Sequence, residues 1–328
     1  MNQVSISRRD ALRTTAGGIL TATLGQHAVA HQPPKNSGLI DVHMHIVGSR
    51  LPGVPVADND PVRLGPFAKD DLQGPQRLAQ AIQDQAKRAN VEQALCMPRM
   101  EISDQDPLGI SETLKQAKLL TGIKIHPIGL AHPERFDRDH LARVEEILKQ
   151  GQVKGFKAYL GYLHYDATHL GYRAYYKLAA KYNLPVILHT GDTYSKTAKV
   201  KHAHPLQMDE LAVDFPDTKF VLAHFGNPWV LDAAEVAYKN KNVWVDISAI
   251  LIGDQAYFEK MEQTGVVERT IKRIREGIEF TEAPEKFLFG SDWPLAPVDV
   301  YRDFVRRLFP EEQHAGVFSA NAKGLFGL

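Results

Sequence analysis

Eight short apolar runs, each followed by a longer segment, constrain the fold of this chain more than any other feature of its sequence. The runs are rich in β-branched residues and cover residues 39–47, 93–98, 124–130, 153–159, 185–190, 219–225, 242–248 and 286–292. Their apolar character is continuous rather than alternating, which is typical of strands buried on both faces of a parallel sheet. Strand and helix repeated eight times over roughly 250 residues predict an α/β fold, the (β/α)8 or TIM barrel.

The segments between the runs have helical periodicity. In residues 137–151 a stripe of leucine, isoleucine and valine is preceded by Asp137 and Asp139, either of which can cap a helix, and followed by Gly151, which can end it. The alternative is a doubly wound open sheet, which explains eight strands less well. No glycine-rich dinucleotide-binding turn follows the first run either. We therefore predict one barrel domain over residues 38–328, with elaborated loops after its strands, the longest at residues 48–71.

Composition excludes several classes of function. Lys and Arg together number 39, as do Asp and Glu, so the formal net charge is zero and no basic field is available to bind nucleic acid. The single cysteine, Cys96, cannot form a disulfide within the chain, and its apolar neighbours predict a buried core residue.

The first 30 residues have the pattern of an export signal. Arg8 and Arg9 precede a short, weakly apolar stretch, and Ala28-Val29-Ala30 forms a small-x-small cleavage pattern. The arginine pair resembles the twin-arginine type of signal, which implies the twin-arginine export machinery as a partner and a periplasmic or secreted protein. The apolar stretch is too short and too polar for a stable membrane anchor. The alternative is a disordered cytosolic tail.

Polar residues stand where four of the apolar runs end. His43 and His45 end the first run, His189 the fifth, His224 the sixth and Asp292 the eighth. Residues two apart on a strand point the same way, and barrel strands end around one mouth, so these side chains are expected to converge. Imidazole and carboxylate are ligand types for zinc, manganese and iron. Each residue alone has a plainer structural interpretation, a hydrogen-bonded histidine or a capping aspartate, but together they predict a metal site.

Several motifs resemble those of the amidohydrolase superfamily, in particular the branch called amidohydrolase-2. That branch includes aminocarboxymuconate-semialdehyde decarboxylase and several lactone hydrolases. The matching segments are Ile40–His45, Gly155–Lys157, Leu188–Gly191, Ala223–Gly226, Val245–Ser248, Phe289–Pro294 and Asn321-Ala322.

The resemblance implies a role for each residue at the strand ends. His43, His45, His189 and Asp292 would bind one divalent ion, expected to be zinc, which generates hydroxide from water near neutral pH. Asp292 would also be the general base, and His224 would orient the water or polarise the substrate carbonyl.

Residues near the same strand ends are expected to determine substrate specificity, and the expected substrate is small and anionic or aromatic. Lys157 is expected to bind a substrate carboxylate or pair with a protein carboxylate; the alternative is a carboxylated lysine that bridges two ions. Asp246 is expected either to orient a metal ligand or to have a purely structural role. The loops offer further donors and aromatic rings, at Arg99, Tyr159, Tyr162, His164 and Asn227. The histidines at 27, 31, 140, 169 and 314 are expected on the surface or in the tail.

Three functions are compatible with these residues. The first is an exported hydrolase of a small ester, lactone or amide, and the second is a non-oxidative decarboxylase of an aromatic or unsaturated acid. The third is an exported metal- or ligand-binding protein without catalysis, which predicts the loss of a ligand position, and none is lost. Export favours hydrolysis over decarboxylation, because such decarboxylases usually work inside the cell.

Overall fold

A ring of parallel strands forms the centre of the molecule. The computed structural model describes residues 38–46, 75–193 and 195–328. Within them the strands are β1 (Leu39–Met44), β2 (Val91–Cys96), β3 (Lys124–Pro127), β4 (Gly129–Leu130), β5 (Phe156–Ala158), β6 (Pro185–Leu188), β7 (Lys219–Leu222), β8 (Val243–Asp246) and β9 (Phe287–Leu288). Every pairing is parallel, in the order β1-β2-β3 and β4-β5-β6-β7-β8-β9.

The strands fill eight positions and close on themselves. β3 and β4 belong to one apolar run, because the Ile128 N–H still donates to Cys96 of β2 whereas Gly129 donates to Gly155 at the start of the β5 segment. The other ends are joined by Val42 N–H to the Phe289 carbonyl at 2.9 Å and Asp292 N–H to the His43 carbonyl at 2.8 Å. The fold is therefore the predicted (β/α)8 barrel and not an open sheet.

Helices follow the strands along the chain. They are α1 (Pro75–Ala89), α2 (Ser111–Ala117), α3 (Arg138–Lys149), α4 (Leu170–Lys181), α5 (Gln207–Asp214), α6 (Val230–Lys239), α7 (Gln255–Gln263), α8 (Val266–Thr281), α9 (Val298–Arg306), α10 (Glu311–Ala315) and α11 (Asn321–Phe326). The Asp137 side chain caps α3 by accepting from the His140 N–H at 2.9 Å, as predicted. Among the described residues no helix has the length and apolarity needed to span a membrane.

Two residues with predicted positions, Cys96 and His140, lie in the core; the prediction was correct for Cys96 and wrong for His140. Cys96 is fully buried, as predicted. His140 is also fully buried, so its expected surface position is wrong; its Nε2 lies 2.8 Å from the Tyr175 hydroxyl. The physical reason is helical spacing, because His140 precedes the buried Val144 and Leu148 at intervals of four residues and shares their face.

The barrel interior is apolar and is closed at one end by α11. Ala322, Leu325 and Phe326 pack with strand residues such as Ile40 and Val221 in one buried cluster. Lys154, which precedes β5, donates from Nζ to the Gly327 carbonyl at 3.0 Å, so α11 lies at the N-terminal ends of the strands. The opposite end, where barrel enzymes place their active sites, is left for polar side chains. The predicted signal at 1–30 and the loop at 48–71 lie outside the described residues.

Candidate metal centre

The polar side chains that end the strands come together at the C-terminal mouth of the barrel. His43 lies on β1, and His45 follows that strand directly. His189 directly follows β6, and His224 follows β7 in a tight 3-10 turn, Ala223–Gly226. Asp292 follows β9. All except His45 are buried, and His45 has only 12% of its side-chain surface exposed. The convergence predicted from the strand ends is therefore present.

Asp292 is the centre of this group. One nitrogen each of His43 and His224 and one oxygen of Asp292 lie within 4.8 Å of one another. The Asp292 Oδ1 is 3.6 Å from His43 Nε2 and 3.1 Å from His45 Nε2. Two imidazoles and one carboxylate thus lie around a single point, and a third imidazole, that of His45, contacts the same carboxylate oxygen. Imidazole and carboxylate together are a ligand set that suits a divalent transition metal.

His189 reaches the group through His224. Its Nδ1 lies 3.2 Å from His224 Nε2, and its Nε2 lies 3.0 Å from the Asp192 carbonyl. A carbonyl only accepts, so Nε2 carries the His189 proton and Nδ1 keeps a lone pair that faces His224. The compact group therefore contains His224, which the sequence predicted only as a catalytic neighbour. The predicted ligands His45 and His189 lie beside the group, against Asp292 and His224 respectively.

A buried carboxylate orients His43. Asp246, the last residue of β8, places Oδ2 2.5 Å from His43 Nδ1. An ionised carboxylate accepts this proton, so the lone pair of His43 lies on Nε2 and faces Asp292. A carboxylate–histidine pair of this kind is the usual support of a metal-binding histidine. The expected role of Asp246 in orienting a metal ligand agrees with this contact.

Burial keeps the imidazoles of His43, His189 and His224 neutral. It lowers the pKa of His43 and His189 well below the ordinary value and that of His224 to about 3. Burial alone would raise the pKa of Asp292, but the hydrogen bond that its carboxylate accepts from His45 helps to hold that pKa far below its usual range. Neutral imidazoles and an ionised carboxylate are the protonation states that bind a metal ion.

The spacing of the donor atoms fits a divalent ion. Bonds of about 2.0–2.1 Å in a tetrahedron place neighbouring ligand atoms roughly 3.3 Å apart. The separations of 3.1 Å between His45 and Asp292 and 3.2 Å between His189 and His224 are close to that value.

Lys157 brings a positive charge to the same point. It is buried on β5, with Nζ 3.4 Å from His43 Nε2 and 5.3 Å from the centre of the Tyr159 ring. Burial lowers the pKa of Lys157 to about 8, against the opposing effect of Asp292. A charged ammonium group at this position would repel a divalent ion. Because the pKa of Lys157 is lowered, less free energy is needed to convert the ammonium to the neutral amine.

Backbone strain accompanies the site. His224 and Asp292 have φ of 61° and 57°, in the left-handed region that residues other than glycine rarely adopt. Such residues cost about 1–3 kcal/mol each and cluster at functional sites. This backbone conformation directs both side chains into the mouth of the barrel.

The predicted substrate-binding residues divide into two groups. Tyr162 lies beside the site, its ring packed edge-on against His189 at 4.8 Å between ring centres. The Tyr159 ring is 6.5 Å from the His45 ring, and its hydroxyl donates to the Pro98 carbonyl at 2.7 Å.

The other predicted residues have mostly different contacts. Arg99 is half exposed and pairs with Glu101 at 3.4 Å. His164 makes a 2.9 Å hydrogen bond to the Thr197 carbonyl, which joins the loops after β5 and β6. Asn227 follows the strained turn of His224, and its side-chain Oδ1 is buried without a hydrogen-bond partner in the described part of the chain.

Ser248 is a site residue that the sequence patterns did not predict. Its Oγ lies 2.8 Å from His224 Nδ1 and 3.2 Å from His43 Nδ1. The available signal was the spacing Asp246-x-Ser248, which places both side chains on one side of an extended segment. An isolated serine has no chemistry that distinguishes it from a structural one before its neighbours are known.

Comparison with known structures gives the same fold at low sequence identity. An uncharacterized TIM-barrel protein from Bordetella bronchiseptica aligns with a TM-score of 0.62 at 18% identity, covering 88% of this chain and 98% of its own. A probable 2-pyrone-4,6-dicarboxylic acid hydrolase from Acinetobacter baumannii aligns with a TM-score of 0.58 at 14% identity, covering 89% and 100%. A 5-carboxyvanillate decarboxylase from Sphingomonas paucimobilis aligns with a TM-score of 0.56 at 13% identity, covering 89% and 99%.

Sequence comparison identifies the family. No protein of curated function has a significantly similar sequence. A family model described as amidohydrolase matches residues 40–328, nearly the whole chain and every residue of the site. The chain therefore belongs to the amidohydrolase family, in its amidohydrolase-2 branch.

Proposed function

We propose that this protein is an exported, metal-dependent hydrolase that uses a metal-activated water on an ester, lactone or amide bond of a small substrate. The observation that carries the proposal is the convergence of His43, His45, His224 and the ionised Asp292 at the mouth of the barrel. A divalent ion bound there, with zinc as the expected metal, would lower the pKa of a water molecule and polarise a carbonyl.

The residues of the chain would then divide the work. Asp292 accepts a proton, because its carboxylate stays ionised near neutral pH and reaches into the site. His224 offers Nε2 to the same space, where it orients the water or contacts the substrate carbonyl. Asp246 holds His43 in position throughout.

The substrate is proposed to be small and anionic or aromatic. Lys157 supplies a buried positive charge, and the rings of Tyr159 and Tyr162 lie beside His45 and His189. The probable hydrolase from Acinetobacter baumannii, named for a dicarboxylic acid substrate and solved with citric acid bound, agrees with this substrate class.

Decarboxylation of an aromatic or unsaturated acid is the second candidate. The buried Lys157 suits a carboxylate that leaves as carbon dioxide equally well, and the Sphingomonas paucimobilis neighbour is named as a decarboxylase. The ligand set is common to both reactions and does not distinguish them.

Product analysis distinguishes the two reactions. The metal-loaded protein is incubated in ¹⁸O-labelled water with a panel of aryl esters, lactones, amides and aromatic carboxylic acids. Hydrolysis places one labelled oxygen in the carboxylic acid that it releases, whereas decarboxylation gives a product lighter than the substrate by carbon dioxide. A labelled carboxylic acid supports the proposal; loss of carbon dioxide alone would favour the second candidate.

Export is proposed from the sequence of residues 1–30. In cells, replacing Arg8 and Arg9 together with lysine is expected to retain the protein in the cytoplasm, because the arginine pair is the part that the export machinery recognises. Cell fractionation measures this outcome. A double variant that reaches the periplasm as well as the wild type would contradict twin-arginine export.

A further inference from the structure

A buried hydroxyl directly follows His189 and has no role in the site described above. Thr190 is fully buried, and its Oγ1 donates to the Ala223 carbonyl at 2.5 Å. The last backbone pair between β6 and β7 is Leu188 with Leu222, so this hydrogen bond lies just beyond the end of the paired strands. It therefore joins the residue after one histidine of the site to the residue before another, His224.

The residues that follow Ala223 form a strained turn. His224, Phe225 and Gly226 have φ of 61°, 48° and 61°, so three successive residues lie in the left-handed region. That region is disfavoured for His224 and Phe225, because a Cβ comes too close to the backbone there. A turn of this kind persists only where the surrounding structure holds it.

The segment after β6 holds this turn on both sides. Before the left-handed residues, the Thr190 hydroxyl holds the Ala223 carbonyl. After them, the Asp192 N–H donates to the Asn227 carbonyl at 2.7 Å. Any residue except proline supplies a backbone N–H, but the first contact needs a side-chain donor at residue 190. Threonine suits this position, because its β-branched side chain has few rotamers and loses little freedom when the hydroxyl is fixed.

The conformation of the turn decides where the His224 ring lies. Its Nε2 is 3.2 Å from His189 Nδ1, and one of its ring nitrogens lies within 4.8 Å of the ligand atoms of His43 and Asp292. If φ of His224 returned to the ordinary negative region, its Cα–Cβ bond would point elsewhere and the ring would leave these partners. The position of the ring thus depends on the hydrogen bonds that hold the turn.

We propose that Thr190 is a positioning residue, whose hydroxyl holds the left-handed turn that brings His224 to the metal site. Its effect on metal binding rests on the proposed function, whereas the conformation of the turn is a property of the metal-free protein. The plainer alternative is that the hydroxyl stabilises the barrel and has no particular effect on His224.

Thr218 provides a matched control for this alternative. It is also buried, and its Oγ1 donates to a distant backbone carbonyl, that of Tyr176, at 3.1 Å. Thr218 directly precedes β7 and so lies at the end of the barrel opposite to the site. Thr190→Val and Thr218→Val therefore remove the same kind of hydrogen bond with little change of shape, one beside the site and one away from it.

Zinc affinity is the first measurement, by calorimetry on the full chain after removal of metal. Thr190→Val is expected to bind zinc about 10–100-fold more weakly than wild type, the usual effect of removing a group that supports a metal ligand. Thr218→Val is expected to lose a similar amount of stability in urea but to keep the zinc affinity of wild type. Thr190→Ser keeps the hydroxyl and is expected to bind zinc nearly as wild type does. Where wild type binds zinc, equal affinity in the two valine variants would overturn the proposal.

Crystal structures of metal-free wild type and Thr190→Val measure the turn itself. The φ of His224 is expected to stay near 61° in wild type and to leave the left-handed region in the variant. The distance between His224 Nε2 and His189 Nδ1 is expected to increase with it. An unchanged turn in Thr190→Val would overturn the proposal, whatever its zinc affinity.

The two measurements also separate this positioning role from the proposed function. A turn that depends on Thr190 in a protein that binds no zinc would contradict the proposed function and support the positioning role. If Thr190→Val does not fold, Thr190→Ser and Thr190→Ala decide by the same measurements. A turn displaced equally in both would contradict a role for the hydroxyl, and a turn kept by serine alone would support it.

Discussion

At the scale of single residues, the site is a small set of groups held in unusual states by burial. Asp292 stays ionised although it is buried, and the hydrogen bond that its carboxylate accepts from His45 supports that state. His224 stays neutral because burial lowers its pKa to about 3. These states are the ones that coordinate a cation and accept a proton, so the chemistry belongs to the surroundings of each residue as much as to its type.

Asp292→Asn tests the role of the carboxylate as base. The amide is similar in shape, so the fold is expected to persist, but it cannot accept a proton. Turnover is expected to fall by about 10²–10⁴-fold, the usual contribution of general acid–base catalysis. Steady-state kinetics on a substrate found in the product screen measure the change, with circular dichroism as the control for folding. Near-normal turnover would remove Asp292 from the role of base.

Gly290→Ala tests how tightly the network behind His43 is packed. A Cβ at this position would lie 2.4 Å from Asp246 Oδ1 and 2.8 Å from His43 Cβ, so both side chains must move. The variant is expected to melt at a lower temperature and to bind zinc more weakly. Gly324→Ala in α11 is the control, because its Cβ would meet nothing within 4 Å. Equal zinc affinity in the two variants would contradict the packing argument.

At the scale of elements, each ligand is placed by the way its strand ends. β6 passes into Gly191, which has φ of 93° and packs so closely that a Cβ would lie 2.3 Å from the Asn227 carbonyl. That carbonyl accepts from the Asp192 N–H at 2.7 Å, which ties the turn after His189 to the turn after His224. The two turns therefore hold the two histidines at a fixed separation.

Gly191→Ala is expected to disturb both turns together. The left-handed backbone alone costs about 1–2 kcal/mol for a residue with a Cβ, and the contact with Asn227 adds to it. Gly151→Ala is the matched control, since Gly151 has φ of 65° and its Cβ would meet nothing within 4 Å. Urea denaturation is expected to show the larger loss for Gly191→Ala, accompanied by weaker zinc binding. Equal losses would mean that the link between the turns has no structural effect.

Sequence patterns predicted the elements well because burial and periodicity are local properties. The eight apolar runs became the barrel strands, and the polar residues at their ends converged because parallel strands must end together. The pattern does not reveal how a side chain is rotated, so it could not show that His189 directs Nε2 to the Asp192 carbonyl or that Ser248 lies between two rings. The sequence also could not show that one apolar run divides into β3 and β4 at Ile128. That division depends on which neighbouring strand each backbone N–H donates to, which is a property of the closed barrel.

At the scale of the whole molecule, the apolar core and the polar site lie at different ends of the barrel. One end is closed by the apolar side chains of α11, and the other end gathers the titratable groups. Burial of these titratable groups changes their pKa values between the folded and the unfolded chain. The histidines become harder to protonate and some carboxyl groups become easier to protonate, so the free energy of unfolding depends on pH.

The metal-free protein is expected to lose stability as the pH falls from about 6.5 to 4. Burial lowers the pKa of His126 and His140 to about 4 and that of His224 to about 3, so the unfolded chain binds their protons first. Asp41 and Asp246 act in the opposite direction in this window, since burial raises their pKa to about 7 and about 6.

The histidines outnumber these two carboxyl groups, because His43, His132 and His189 are shifted downward as well. The free energy of unfolding is therefore expected to rise with pH across the window. Urea denaturation of the metal-free protein at pH 5 and pH 7 measures it. Greater stability at pH 5 would contradict the assignment of neutral buried histidines.

Residues from separate strands are proposed to hold a divalent ion at the mouth of the barrel. Elemental analysis of the purified full chain beside a His43→Ala variant tests it most directly, with circular dichroism to confirm that the variant is folded. About one divalent ion per wild-type chain is expected, and little in the variant. Two ions per chain would favour the carboxylated form of Lys157. The same trace metal content in wild type and variant would contradict the site itself.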